Sequence, residues 1–261
     1  MKTPDFTDYI PQEQIRKRWR TILDQAETAL RTHVTKTSSF LTPGEWGYAD
    51  SLLSHYSELR WMLEGGYQDA ERRRLIMMPD YRMPEELSPP VAFLRATHKA
   101  KMKTLTHRDY LGAVLSLGIE REMIGDILLY DHSACFVVVP ELSDYLMWHL
   151  DTVGSVSVIV EGIDEIPEAA IIEELEVIKG TVASLRLDAV LSVALRISRQ
   201  KAQALIVSQK VSLNWQPIQK HTVALHEHDI ISIQGSGRLK LLKIGSLSRS
   251  QRCHIEIGKM K

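Results

Sequence analysis

Cysteine is nearly absent: the 261 residues hold two, Cys135 and Cys253, far apart in the chain. That excludes a disulfide scaffold, a Cys-x-x-Cys redox pair and a cysteine zinc knuckle, and it fits a reducing, cytoplasmic compartment. Long apolar runs are missing as well. None approaches the ~18 residues needed to cross a bilayer. The opening segment carries Asp5, Asp8 and Glu13 where a signal peptide needs an apolar core, so a cytoplasmic protein without membrane contact is expected. Also lacking are a Gly-x-Ser-x-Gly nucleophile elbow, a Walker loop and a Gly-x-Gly-x-x-Gly fingerprint. No cofactor is therefore expected.

What is present is ordinary globular material, 44% hydrophobic and 25% charged, long enough for two or three domains. The net charge of −1 conceals an asymmetry. From Thr181 onward there are 13 Lys+Arg against 4 Asp+Glu, and the residues before it hold 19 against 29. A basic module is attached to an acidic body. Such a concentration of positive charge generates a field suited to a polyanion, and nucleic acid is the commonest one.

Along the chain, Ile15, Trp19, Ile22, Leu23, Ala26, Ala29 and Leu30 recur at spacings of three and four, predicting a helix over 11–34. Thr42-Pro43-Gly44-Glu45 supplies an N-cap, a first-turn Pro and a Glu three residues on, predicting a second helix over 43–56. Gly65-Gly66 separates apolar runs at 59–63 and 75–78, a hairpin signal, with the basic triplet Arg72-Arg73-Arg74 between them. The proline-rich stretch 84–90 reads as a linker that closes an N-terminal, α-rich domain over 1–83. Then come a strand at 91–96, a Thr106-capped helix to Leu117 closed by Gly118, and strands at 124–130 and 135–139. A helix over 141–153, with Leu142, Tyr145, Leu146 and Leu150 inward, and a strand at 156–160 complete the pattern.

The order β-α-β-β-α-β predicts a ferredoxin-like (RRM-like) middle domain at 91–165. RNA-recognition modules of this shape stack bases on aromatics of the central strands. Here only Phe93, Phe136 and Tyr130 are on offer, and Phe93 and Phe136 fit a core better than a platform. The basic stretch 98–103, with His107-Arg108 after it, suits phosphate contact.

The last third is more specific. A short helix over 187–194 is followed by Ser198, a good N-cap for a second helix running to Val207. Arg199 and Lys201 then stand at a helix start, where exposed N–H groups and the positive end of the dipole favour phosphate. Strands at 210–214 and 229–233 follow, joined by a loop with Lys220 and ending at Gly235-Ser236-Gly237-Arg238. Over about 185–237 this stretch resembles the S4 (αL) RNA-binding domain, through Arg186, Leu187, Asp188, Ser198, Arg199, Lys210, Val211, Asn214 and Asp229. Two positions depart from that pattern: Gln209 and His228 stand where glycine is usual.

The whole chain is similar to the YlmH family, through Phe40-Leu41-Thr42-Pro43, the run Leu105-Thr106-His107-Arg108-Asp109-Tyr110-Leu111-Gly112-Ala113 with Leu117-Gly118-Ile119, and Ile124-Gly125-Asp126-Ile127. The resemblance implies a multidomain α+β protein ending in an S4 domain at 181–261. It also implies association with the large ribosomal subunit near peptidyl-tRNA in ribosome-associated quality control, and a link to cell division. The expected RNA contacts are Arg186, Ser198, Arg199, Lys201, Lys210, Asn214, Lys220 and Arg238, with Ser198 as helix cap and Asn214 holding the strand turn. The partners are then rRNA and tRNA, and the chain is expected to be a monomer.

No catalytic or metal site is expected. Arg186-Leu187-Asp188 resembles the catalytic tripeptide of pseudouridine synthases, but too little chain follows for their catalytic domain. His226-x-His228 lacks a third ligand in its stretch, which favours surface histidines. Asp109, near a helix start, suits capping better than acid–base work. Two rivals stay open: an RNA-modifying enzyme with a site around His107, Arg108 and Asp109, and a division scaffold docking proteins through the acidic half.

Overall fold

The computed structural model describes residues 6–83, 89–98, 105–167, 176–248 and 250–260. The chain forms two compact units, Met1–Ile171 and Ile172–Lys261.

In the first unit, α1 (Glu13–Thr32) buries Trp19, Ile22, Leu23, Ala26 and Ala29 along one stripe, as the spacing predicts. It packs on a sheet of β1 (Lys36–Leu41), β2 (Leu59–Glu64) and β3 (Arg73–Pro79), ordered β1-β3-β2 and antiparallel throughout. The helix expected over 43–56 is instead two short ones, α2 (Pro43–Trp46) and α3 (Ala49–Leu53). Thr42 and Glu45 close the predicted capping box. The indole N–H of Trp46 donates to the Glu71 carbonyl at 3.1 Å, and that of Trp19 to the Glu45 carbonyl at 2.9 Å. These tertiary bonds tie the first short helix to α1 and to the segment before β3.

The middle of the chain supplies β4 (Ala92–Thr97), α4 (His107–Ser116), β5 (Ile124–Tyr130), β6 (Ser133–Val138), α5 (Ser143–His149), the ribbon of β7 (Thr152–Val153) and β8 (Val156–Ser157), and β9 (Ile159–Ile163). The sheet runs β5-β6-β4-β9, every neighbour antiparallel. α4 begins at Thr106 as predicted and is followed by Gly118 at φ +81°. The helix expected over 141–153 is shorter: Leu150 leaves helical backbone at ψ 83°, because Gly154 at φ +61° turns the chain into the small ribbon. The last strand accordingly starts at Ile159, not Val156, and Tyr145 is exposed rather than inward.

One face of this sheet, with Leu94, Phe136, Val138 and Ile127, packs on Tyr110, Val114 and Leu146 of the helices. On the other, Val137 and Phe93 join Phe40, Tyr67, Val91 and Ile166. Residues on the two sides of 84–90 therefore share a core. Gly66, at φ +87°, lets Phe93 approach: a Cβ there would stand 2.5 Å from its ring. At Gly125 a Cβ would stand 2.7 Å from the Phe40 ring. The triplet Arg72-Arg73-Arg74 is not a surface cluster. Arg72 donates to the carbonyls of Ile124 (3.0 Å) and Phe40 (3.3 Å), and Arg74 to those of Ser38 and Pro90. Asp126 answers from the other side, accepting from Tyr67 Oη and Glu71 N at 2.7 Å and Arg72 N at 3.2 Å.

The second unit contains β10 (Glu176–Val182), α6 (Leu187–Ala194), α7 (Arg199–Val207), β11 (Val211–Leu213), β12 (Gln216–Pro217), β13 (Ile230–Ile233), β14 (Gly237–Leu247) and β15 (Cys253–Met260). Its antiparallel sheet runs β10-β15-β14-β13-β11-β12. Both helices and β11 and β13 lie where the sequence predicts them. β10, β14 and β15 are not anticipated, since their alternation is interrupted by Gly180, Gly245 and two irregularities of register in β14. The helices cover one face over a core of Val182, Leu187, Val190, Leu191, Ala202, Ile206, Leu239, Leu241, Ile255 and Ile257.

Both helices end in the same device. Ile197 N bonds Ser192 O and Arg196 N bonds Val193 O; Lys210 N bonds Leu205 O and Gln209 N bonds Ile206 O. These are two Schellman caps, whose left-handed position is normally glycine. Here Arg196 (φ 53°) and Gln209 (φ 57°) occupy it, at a cost of about 1 kcal/mol each. Gln209→Gly is expected to stabilise the protein by about 1 kcal/mol, read as a rise in the denaturant midpoint of the unit with an unchanged slope.

Candidate nucleic-acid interface

The centre of the second unit's polar surface is Asp188, which is fully buried in the first turn of α6. Arg186 approaches it with Nε and an Nη at 3.2 and 3.0 Å, and Arg199 with Nε and an Nη at 3.1 and 3.2 Å. Gln203 donates its amide to the same carboxylate at 2.7 Å. Burial pushes this carboxyl upward, but the hydrogen bonds from Arg199, Gln203 and Arg186 outweigh it and hold Asp188 below the usual carboxylate range. Leu187 N and Asp188 N in turn donate to the carbonyls of Val223 and His221, which lays the loop after Lys220 across the start of α6.

This geometry changes the role expected of Arg186 and Arg199. Both guanidiniums are committed edge-on to Asp188, so they first position the helices, and only the remaining edge of each half-exposed side chain can meet a phosphate. Gln203 was not anticipated. Its signal is the spacing of four from Arg199, which puts both on one helix face.

The other expected contacts divide by location. Ser198 caps α7 as predicted, its Oγ accepting from Lys201 N at 3.2 Å, and the Lys201 side chain is exposed beside the first turn. Lys210 and Lys220 are exposed, before β11 and in the loop after β12. Arg238 stands opposite Ser232, and Gln234 N donates to Lys210 O, so Lys210 and the 235–238 turn lie at the same end of the sheet. Asn214 is at the opposite end of β11. Its amide ties Asp229 Oδ1 and Ile230 N at 2.9 Å each, with Asn214 (φ 47°) and Trp215 (φ 64°) forming a tight hairpin turn. It is thus a strand tie, as expected, and its side chain is spent on that. His228 reaches φ 72° and donates its N–H to Leu241, doing without the glycine usual there.

In the first unit the aromatic platform is closed. Phe136 is buried edge-on to Tyr110, and Phe93 packs against Gly66 and the Phe40 cluster. Tyr130 spends its hydroxyl on the Pro167 carbonyl at 3.0 Å. Cys135 is buried, which raises its thiol pKa and leaves it unreactive. Asp109 accepts from Thr106 N and Oγ1 at 2.8 and 2.7 Å, completing a capping box. The basic stretch 99–103 lies outside the described residues. No group of three metal-ligating side chains occurs among the described residues, and no described helix is long and apolar enough to cross a membrane.

Removing one partner of the Asp188 cluster leaves a buried charge less well paired. Arg199→Ala is expected to cost about 2–3 kcal/mol, less than a fully broken buried pair because Arg186 and Gln203 remain. Because the folded carboxyl titrates below its unfolded value, its contribution is complete above about pH 4 and is lost as pH falls further. Urea titrations at neutral and acid pH, with Asp188→Asn alongside, measure this: the variant should be weaker at pH 7 and show a flatter acid limb.

Comparison with known proteins gives these positions a context. Residues 14–82 match a family model described as "YlmH, N-terminal", and residues 84–166 one described as "Putative RNA-binding domain in YlmH". A Bacillus subtilis (strain 168) protein named "Ribosome-associated protein quality control protein P2" is 30% identical over 257 residues, covering 95% of this chain and 98% of its own. Among solved structures, "Cell division protein ylmH from Streptococcus pneumoniae" aligns with a TM-score of 0.50 at 23% identity, over 58% of this chain and 92% of that one, a likeness of fold. Two family models in succession, and a relative matched along nearly its whole length, make this chain a member of the YlmH family.

Proposed function

We propose that the protein is a non-enzymatic, ribosome-associated RNA-binding protein. Its second unit acts as an S4 domain and the 91–165 segment has the ferredoxin-like fold. The observation that carries this reading is the start of α7. A Ser198-capped helix terminus, held in place by the buried Asp188, presents Lys201 and the outer edges of Arg199 and Arg186 on the basic unit. Exposed first-turn N–H groups, the helix dipole and these cations converge where a phosphate oxygen is best stabilised. Lys210, Lys220 and Arg238 extend the positive surface. Contacts of this kind bind backbone and confer salt dependence, with no direct reading of sequence.

The names of the relatives support the cellular setting. The Bacillus subtilis relative is named for ribosome-associated quality control, and the family model over 84–166 is named for RNA binding. We take the large subunit, with its rRNA and a bound peptidyl-tRNA, as the target, and a cytoplasmic monomer as the acting form. A contribution to cell division, the name borne by the pneumococcal structure, then follows indirectly from translation.

The test is sedimentation with purified small and large ribosomal subunits. The variant to use is Lys201→Ala, Lys210→Ala, because these side chains are exposed, whereas Arg186 and Arg199 variants would disturb Asp188. Co-migration with the large subunit that the double variant weakens is the expected result, with a salt slope reduced by roughly two. No association with either subunit would overturn the reading.

A further inference from the structure

The sheet of the second unit has two faces, and the unit's two helices lie on one of them. Positions 178, 180 and 182 of β10 face the helices: a Cβ on Gly180 would stand 2.5 Å from Val193 of α6, and Val182 is buried in the core. The register carries this parity across the sheet, so that Ile255 and Ile257 of β15 and Leu239 and Leu241 of β14 point the same way. The alternate positions form the opposite face. They include Lys179 and Thr181 on β10, His254 and Glu256 on β15, Lys240 and Lys243 on β14, and Ser232 on β13. Lys243 reaches this face because the register shifts between Leu241 and Lys243, placing it opposite Glu256, which is itself opposite Lys179.

We propose that this helix-free face is a second phosphate-binding surface, directed at RNA backbone and separate from the start of α7. It rests on the RNA-binding reading above; apart from Arg238, which the register places on this face opposite Ser232, it uses different residues, mostly on strands outside the stretch that resembles an S4 domain. Its charge is one-sided. Glu256 pairs with Lys179 at 3.0 Å, whereas Lys240 and Lys243 make no ion pair among the described residues. The face is also shaped, with a hollow of ≈ 300 Å³ between Lys179, Thr181, His254 and Glu256 beside the two lysines. An acidic protein segment would satisfy the same cations; Lys240 and Lys243, spaced along one strand with Lys179 across from them, favour the repeating charge of a phosphate chain.

The experiment uses the full chain, a fluorescein-labelled RNA hairpin from large-subunit ribosomal RNA and fluorescence anisotropy across a potassium chloride series. Lys240→Ala, Lys243→Ala should weaken binding roughly ten-fold at low salt and lower the log–log salt slope by roughly two. Lys240→Arg, Lys243→Arg should retain both. Glu256→Gln, which releases Lys179, should tighten binding, a gain that mere structural damage would not produce. If the alanine pair binds RNA like wild type while Lys201→Ala, Lys210→Ala weakens it, the second surface is overturned and the RNA-binding reading stands. If wild type does not bind the hairpin or ribosomal subunits, both fall. Loss of ribosome binding by the alanine pair with hairpin binding intact would assign the face to a protein partner and overturn the proposal.

Discussion

A carboxylate taken wholly out of water must be answered by donors that are themselves held in place, and in the basic unit Asp188 imposes that condition on everything around it. Two side chains of α7 and one from the residue before α6 converge on its two oxygens. Helices α6 and α7 cannot slide or rotate past one another without breaking several charge-assisted bonds at once. The N–H groups after Asp188's own helix start are used by carbonyls of the 221–223 loop, so that loop is fixed by the same corner. The placement of Lys201 in front of α7 is then a consequence of an ion cluster that never meets solvent fully. Arginines that seem free to grip a ligand are here first the scaffold for the lysine beside them.

The first unit is organised by a comparable exchange of roles. Arg72 and Arg74 look like a basic patch in a sequence otherwise rich in acid, yet their guanidiniums are consumed by backbone carbonyls along the join between the N-terminal sheet and the β4–β6 sheet. Burial is what lowers the pKa of both arginines, and neighbouring carboxylates such as Glu45 and Glu141 act against it. Asp126 is raised by burial although Tyr67 and two backbone N–H groups favour its charge. The face of the sheet on which a base would stack is filled by Phe40, Tyr67 and Ile166. A sheet with that topology is therefore no argument for stacking in this protein, and recognition by the 84–166 segment would have to use its helices, edges or loops.

How much of this the sequence discloses depends on the range of the interactions involved. Local signals were sufficient for α1, α4, α6 and α7, where apolar spacing and the Thr106 and Ser198 caps lie within a few residues of each other. They failed where distant partners decide the outcome. The break after Trp46 is set by Glu71, the short α5 by the Gly154 ribbon, and β10 by pairing with β15 at the far end of the chain. At the site, Ser198 and Asn214 were legible because their partners are set by turn geometry. The true work of Arg186 and Arg199 was not, since a basic residue near a helix start reads the same whether its counterion is a phosphate or a buried carboxylate, two residues on for Arg186 and eleven earlier for Arg199. Gln209 and His228 are a subtler case: they stand where glycine is usual, yet the backbone keeps the left-handed conformation and bears its cost.

The distribution of charge between the two units bears on selectivity. Phosphate contacts supply affinity for any RNA, so a purely basic protein would be distributed over the whole cellular pool. Here an acidic body, 29 Asp+Glu against 19 Lys+Arg before Thr181, is covalently attached to the basic unit. The attraction is confined to a few cations on defined surfaces of the basic unit, while the excess carboxylates before Thr181 carry a field that opposes a polyanion. Selection by shape can in this way emerge from contacts that individually read no bases.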